Sequence, residues 1–274
     1  MKYAQIQSYT DSQFKRLIGV DQATFADMVS IVKAAEALKR KSGRPSKLST
    51  EDQILLTFNY LREYRTLFHV AADYGIHESN AQRIVVRIEN ILIQSGRFSL
   101  PKKLPPSTTE VDWDVIVVDV TETPIERPKK SRKYYSGKKK RHTLKTQIVV
   151  HQASQHILSI AIGCGSQHDI GLARENVRNL LISRYCFADL GYFGLKEIGC
   201  RLFTPLKKPK GGLLEPIQKQ INGEISRRRI VVEHVIGRLK RFRIVSERYR
   251  NRRKRYGLRL NLLAGILNWM AVKK

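Results

Sequence analysis

The apolar residues of this chain change their period once, and that change fixes the broad fold. Ahead of the proline-rich stretch LPKKLPPS (residues 100–107) they recur at helical spacing. Beyond it they gather into short β-branched or aromatic runs. In the first part, Phe14, Ile18, Phe25, Met28, Val29, Ile31 and Val32 predict helix over residues 11–40. The basic run KRKSGRPSKLST (39–50) reads as a linker. Its GRP has the composition of a minor-groove hook, but a solvated linker is the simpler reading. Thr50 with Gln53 predicts a capping box, and Ile54, Leu55, Phe58, Leu61 and Leu67 then form one apolar stripe. A short helix from Leu67 to Tyr74 closes at Gly75, and a second begins near Glu78 with Ile84, Val85, Ile88 and Ile91 inside. Two helices broken by a tight glycine turn are the helix-turn-helix pattern, with Ser79, Asn80, Gln82 and Arg83 facing outward toward base edges or phosphates. Many short helix pairs share this pattern, so alone it leaves DNA binding open.

In the second part VIVVDV (115–120), TQIVVH (146–151), ILSIAIGC (157–164) and RYCFAD (184–189) read as strands, and RLFTPL (201–206) as a fifth. A helical stretch, Ile170 to Ile182, lies between the third and fourth, and from Glu215 the pattern is helical to the end. That order predicts an α/β domain of ribonuclease-H-like type behind a helical N-terminal part. The expected organisation is a helical segment with basic linker over 1–44, a helix-turn-helix domain over 45–98 and the α/β domain over 110–272.

Charge narrows the partners. Among 274 residues, 51 Lys and Arg face 24 Asp and Glu, a formal net charge of +27. Such an excess repels itself unless a polyanion offsets it, so nucleic acid leads the candidates. Cys164, Cys186 and Cys200 are few, odd in number and without a CxxC pair, which argues against a disulfide frame or zinc ribbon and for small core residues in a reducing compartment. The start MKYAQIQSYTDSQF has no apolar signal core, and Leu260 to Val272, interrupted by Asn261, Gly265 and Asn268, is too short to span a bilayer. That stretch reads as a buried terminal helix. The expected setting is therefore cytoplasmic and nucleoid-associated, with no membrane partner.

Acidic residues stand out against this background. Asp119 ends the apolar run VIVVD, and Asp189 ends YCFAD just ahead of Gly191. Alone, each is a strand-end turn residue. Together, at the ends of neighbouring core strands, they share the sheet edge where α/β proteins bind ligands, and a hard divalent cation, Mg²⁺ or Mn²⁺, suits their oxygens. A third acid, Glu233, lies on the helix ISRRRIVVEHVIGRLKRFRI. At 100° per residue Arg229, Glu233, Gly237 and Lys240 line one face, while Val232, Val235, Ile236, Leu239 and Phe242 fill the core face. The bland alternative is a surface pair between Arg229 and Glu233. Gly237 inside a helix costs about 1 kcal/mol relative to Ala, which suggests that another backbone or a DNA strand comes close.

Two basic runs flank these acids. Arg227 to Arg255 holds 13 Lys and Arg against two Glu, and Arg127 to Lys145 holds ten and no acid. Lys138, Lys139, Lys140 and Arg141 of the second run, with Tyr134 and Tyr135, read as a DNA-contacting flap rather than a merely solvated hairpin.

At these residues the sequence resembles insertion-sequence transposases of the DDE superfamily, specifically the insertion-sequence-five group. VVDVTETPIERP, YYSGKKKRHTLKTQIVV, GSQHD, FADLGYFG and RRRIVVEHVIGRLKRFRI resemble that group's motifs in the same order, across roughly residues 115–270. The resemblance implies that Asp119, Asp189 and Glu233 are a catalytic, metal-binding triad using Mg²⁺ or Mn²⁺. It also implies that Arg229 and Lys240 position a phosphate, and that the chain cuts transposon ends and joins the 3′-OH to target DNA as a homo-oligomer. Two positions depart from the pattern: Ser226 replaces a usual Tyr, and His151 an acidic residue. His168 and Asp169 match a His-Asp pair, whose simpler role is a helix start capped by Ser166 and Asp169. A transposase-derived regulator that binds DNA without catalysis is the alternative function.

Overall fold

The computed structural model describes residues 2–38, 46–101, 115–177, 183–195 and 200–272. GRP 43–45, residues 102–107 and the helical tail expected over 178–182 lie outside them. The described helices and strands are, in chain order, α1 (Asp11–Ile18), α2 (Gln22–Ala37), α3 (Thr50–Glu63), α4 (Leu67–Asp73), α5 (Glu78–Gln94) and β1 (Val115–Pro124). There follow α6 (Ser131–Tyr134), β2 (Tyr135–Ser136), β3 (Arg141–His151), β4 (Ile157–Cys164), α7 (Asp169–Glu175), β5 (Tyr185–Phe187) and β6 (Arg201–Phe203). The last are α8 (Pro216–Lys240), α9 (Arg243–Ser246) and α10 (Tyr256–Val272). They pack into two units, one of residues 1–99, 239–247 and 251–274, the other of 100–238 and 248–250.

In the first unit the helix expected over 11–40 is two helices. α1 stops because Gly19 takes φ +89, and a Cβ there would lie 2.7 Å from the Phe242 ring. Asp21 then caps α2, accepting from the Thr24 N–H at 2.8 Å. The cap of α3 falls one residue earlier than Thr50: Ser49 Oγ accepts from Asp52 N–H, and Gln53 instead donates to the Leu48 carbonyl at 2.8 Å. Residues 52–61 of α3 are all buried, so this helix runs through the middle of its unit rather than presenting one stripe. Leu67, counted with that stripe, opens α4 and is half-buried.

The turn into the next helix follows the expected chemistry. α4 ends at Asp73, Gly75 takes φ +62, and α5 begins at Glu78. Ile84, Val85, Ile88 and Leu92 are buried on its inner face, whereas Ser79, Asn80, Gln82 and Arg83 are exposed. Glu89 on the same inner face is fully buried, and its charge is met by Arg259 Nε at 2.6 Å and Arg255 Nη2 at 2.7 Å. α10 supplies Arg259 and buries Leu260, Leu262, Leu263 and Ile266. It packs so closely that a Cβ on Gly265 would meet the Phe98 carbonyl oxygen at 2.3 Å. Among the described residues no helix is long and apolar enough to cross a membrane.

The second unit is built on a mixed sheet of order β4-β3-β1-β5-β6, with the two-residue β2 pairing beside the start of β3. β1, β3 and β4 are antiparallel neighbours, and β5 and β6 run parallel to β1. β3 begins at Arg141, ahead of the apolar run TQIVVH. Its polar start still finds ladder partners, Thr143 against Pro124 and Lys145 against Glu122. Ile116, Val118, Val149, Leu158, Ala173, Cys186, Ala188 and Tyr192 form a core with Cys200. Cys186 and Cys200 are buried free thiols hydrogen-bonded to each other, which raises the Cys186 pKa well above its ordinary value, and Cys164 is half-buried. On α8, Val232 and Val235 are buried as their spacing requires, while Gly237 is exposed with no atom within 4 Å of a Cβ placed there. Among the described residues of its unit, no backbone outside α8 itself therefore comes close to Gly237.

Candidate active site

The parallel pairing of β1 with β5 brings the two aspartates together. Val117 pairs with Phe187 in the last rung of that ladder, and Asp119 and Asp189 each follow it by two residues, Asp189 there capping the short helical turn 190–192. Alternation along β1 turns Asp119 away from Val118 and Val120, toward the face that carries Arg229 of α8: a guanidinium nitrogen stands 3.8 Å from Asp119 Oδ1. Arg229 therefore answers Asp119, and among the described residues no ion pair joins it to Glu233. Its side chain is only 15% exposed, and its buried Nε has no protein acceptor. A buried donor without a partner is rare, and this one belongs to the guanidinium beside the Asp119 carboxylate.

Burial is the first cause that raises the Asp119 pKa to about 6, from an ordinary 3.8. The Val120 N–H at 2.8 Å and Arg229 oppose that rise, while the charges of Asp189 and Glu233 add to it. Asp189, half-buried, and Glu233, exposed, thus both act on the buried Asp119 carboxylate. Among the described residues no three His, Cys, Asp or Glu side chains stand close enough to hold an ion as placed. Each aspartate is turned to a local donor instead: Asp119 to its neighbour's N–H, Asp189 to the Gly191 N–H at 3.0 Å. Chemically the set still fits a hard divalent cation. Its donors are all oxygens, and like charges held at a half-buried edge are what such an ion relieves.

A fourth carboxylate adjoins them. A Cβ on Gly191 would meet Asp189 Oδ1 at 3.0 Å and Asp169 Oδ2 at 3.1 Å, so only a glycine seats the two acids on either side of this backbone without displacement. Asp169 is bound by Lys145 Nζ at 2.7 Å and therefore does not cap α7; nor does Ser166, whose hydroxyl donates to the Lys133 carbonyl at 2.7 Å. His168 is the N-cap residue of α7 and makes no side-chain cap. Beneath the acids Tyr192 is fully buried and donates to Gln147 Oε1 at 3.2 Å. Its pKa is raised well above the ordinary value, first by burial and then by Asp169, Asp119 and Asp189. Tyr192 and Gln147 were not evident from the sequence. The one available signal is a Gln at an inward position of an otherwise apolar strand.

The other expected contact residues are mostly exposed. Lys138, Lys139, Lys140 and Arg141 are exposed in the tight β2–β3 turn, where Lys140 takes φ +51 and the Ser136 hydroxyl accepts from the Lys139 N–H at 3.1 Å. Tyr135 is 43% exposed and meets the His142 ring edge-on, whereas Tyr134 is half-buried. Lys240, half-buried at the end of α8, falls in the first unit. Asn80 and Arg83 are exposed on α5, Arg83 lining a groove of about 650 Å³ with Gln82, Val86 and Ala35. Of the two departures, Ser226 is exposed, and His151 is buried with Nδ1 2.8 Å from the Ser154 hydroxyl.

A mixed sheet in this order with acids at the junction of its central strands defines the ribonuclease-H-like class. Residues 112–269 match the family described as "Transposase DDE domain", and residues 46–98 that described as "Helix-turn-helix of DDE superfamily endonuclease". The chain belongs to the DDE transposase family and is a transposase of the insertion-sequence kind. It is 48% identical over 270 residues to a protein of Microchaete diplosiphon described as "Probable transposase for insertion sequence element IS702", covering 98% of both chains. Among solved structures it is similar to the piggyBac transposase of a synaptic complex with hairpin DNA, with a TM-score of 0.50 at 10% identity. That likeness covers 98% of this chain and 76% of the other, and concerns the fold alone.

Proposed function

We propose that this transposase cleaves the ends of its element and joins the freed 3′-OH to target DNA, with Asp119, Asp189 and Glu233 as the acids of the active site. The observation that carries the reading is that Asp189, just after β5, and Glu233 of α8 both act on the buried carboxylate of Asp119 on β1, in a chain with a net charge of +27. Mg²⁺ or Mn²⁺ held by them would supply the charge that activates a water at the element's end and steadies the departing 3′ oxygen. Arg229, whose guanidinium stands beside Asp119, orients the scissile phosphate rather than serving as a mere counter-ion. Lys240 contacts a backbone phosphate as well. Lys138, Lys139, Lys140 and Arg141 track the backbone from their exposed turn, and Asn80 and Arg83 read base edges from the outer face of α5. On this reading residues 1–44 are an N-terminal helical segment with its linker, 45–98 the recognition domain and 110–272 the catalytic domain. The protein works as a homo-oligomer on paired ends.

Joining tests the reading against its rivals. A labelled duplex of the element's terminal repeat, incubated with the protein, Mg²⁺ and a plasmid, should yield label covalently attached to the plasmid. Cut ends that never join would leave a nuclease. Binding without cutting would leave a regulatory DNA-binding protein.

A further inference from the structure

We infer that Phe193 is a base-stacking wedge that holds an unpaired nucleotide next to the scissile phosphate. The inference rests on the proposed reading of Asp189 as an active-site acid, and it adds a residue that reading does not use.

Phe193 is 68% exposed, between Tyr192 at 0% and Leu195 at 5%. That contrast is built by the backbone. Phe193 has φ −57 and ψ 131, Gly194 follows at φ +86, and the Leu195 N–H donates to the Tyr192 carbonyl at 3.1 Å. These are the features of a type II turn, whose third position needs the left-handed backbone of glycine. The buried side chains on both sides belong to the sheet core and anchor the turn. A phenyl ring is thus held in solvent by a rigid device, at a position where a polar residue would serve a plain turn equally well. Exposing an aromatic ring forgoes about 2 kcal/mol of burial, which stacking on a partner would recover.

The position of the ring selects that partner. The same short helical turn starts at Asp189, whose carboxylate caps it through the Gly191 N–H. Four residues at the rise of such a turn place Phe193 no more than about 8 Å along the backbone from Asp189. The surroundings favour a polyanion, since the chain carries +27. An exposed ring beside an acid that acts on DNA matches the face of a base, and stacking tolerates any sequence. Paired bases hide their faces, so the partner is a base already displaced from its stack at the cleavage point.

The test uses the full chain and two oligonucleotides of one arbitrary sequence. One is a fully paired duplex; the other is a fork whose unpaired arm carries 2-aminopurine. Wild type should bind the fork more tightly than the duplex and quench the fluorophore. Phe193→Ala and Phe193→Leu should lose the quench and weaken fork binding by about 5- to 100-fold, leaving duplex binding unchanged. Phe193→Trp should restore both. Because the ring is exposed, each variant should melt within about 2 °C of wild type, and Phe193→Leu keeps the apolar bulk if Phe193→Ala does not fold. If Phe193→Ala and Phe193→Leu bind and quench like wild type, the wedge is refuted while DNA binding stands. If they change the oligomeric state and leave the fork signal alone, the ring is an interface between copies and the wedge is again refuted. A wild-type protein that binds neither oligonucleotide overturns the underlying reading itself.

Discussion

At Asp119 function and stability pull in opposite directions. Its folded pKa of about 6 lies above the ordinary 3.8, so the folded chain keeps this proton to higher pH than the unfolded chain does. As pH rises through the window from about 4 to about 6, ionisation subtracts stability, and the loss is complete above it. With EDTA at pH 8, Asp119→Asn should therefore raise the melting temperature by the equivalent of 1–3 kcal/mol. Near pH 4 the variant and wild type should melt together. Adding Mg²⁺ at pH 8 should raise the midpoint of wild type and leave the variant unmoved. Calorimetry at the two pH values, with and without metal, checks both signs. Glu89 offers the reverse case. Its charge is fully buried and held by Arg255 and Arg259, so Glu89→Ala leaves two cations facing an empty site and should cost about 3–5 kcal/mol, read by chemical denaturation. The sequence made Asp119 legible because an acid that closes an apolar run is conspicuous, although β1 runs on to Pro124 and Asp119 lies in its middle rather than at its end. It did not mark Glu89, which sits in a helix among Arg and Asn like any surface acid, and only the arrival of α10 explains its burial.

At the scale of elements, periodicity revealed the strands of the sheet and the helix-turn-helix, because burial on one face leaves a repeating signal. Boundaries were less visible. β3 starts five residues before its apolar run because ladder hydrogen bonds need only backbone, and α3 shows no single stripe because it is enclosed on all sides. Nor does the spacing of Tyr256–Val272, apolar nearly all round, say which surface it covers. Two variants test the elements. Gly237 of α8 has open space where a Cβ would go, so Gly237→Ala should gain up to about 1 kcal/mol of stability. A DNA strand lying against that face would then be felt as weaker binding of the end; lower stability would mean that the helix needs glycine for its own packing. On α5, Arg83→Ala should remove the preference for the element's terminal repeat over unrelated duplex in competition binding. Equal preference in wild type and variant would take base reading away from this helix.

For the whole molecule, charge decides the partner more firmly than any fold feature. An excess of +27 implies that binding releases counterions, so the logarithm of the DNA affinity should fall steeply with the logarithm of salt. The expected slope is about −0.9 for each phosphate neutralised, several units in total, and titrations between low and moderate salt would read it. A flat dependence would contradict the nucleic-acid reading. The central claim is narrower: that Asp119, Asp189 and Glu233 form one active site. Glu233 is its most exposed member. The most direct measurement is the rate of nicking at a labelled terminal repeat, in Mg²⁺ and at saturating DNA, for wild type and Glu233→Gln. That change keeps shape and helix propensity and removes only the charge. The account predicts retained folding and DNA binding with nicking slowed by about two orders of magnitude or more. Equal nicking rates would remove Glu233 from the site and leave the two aspartates without their third acid.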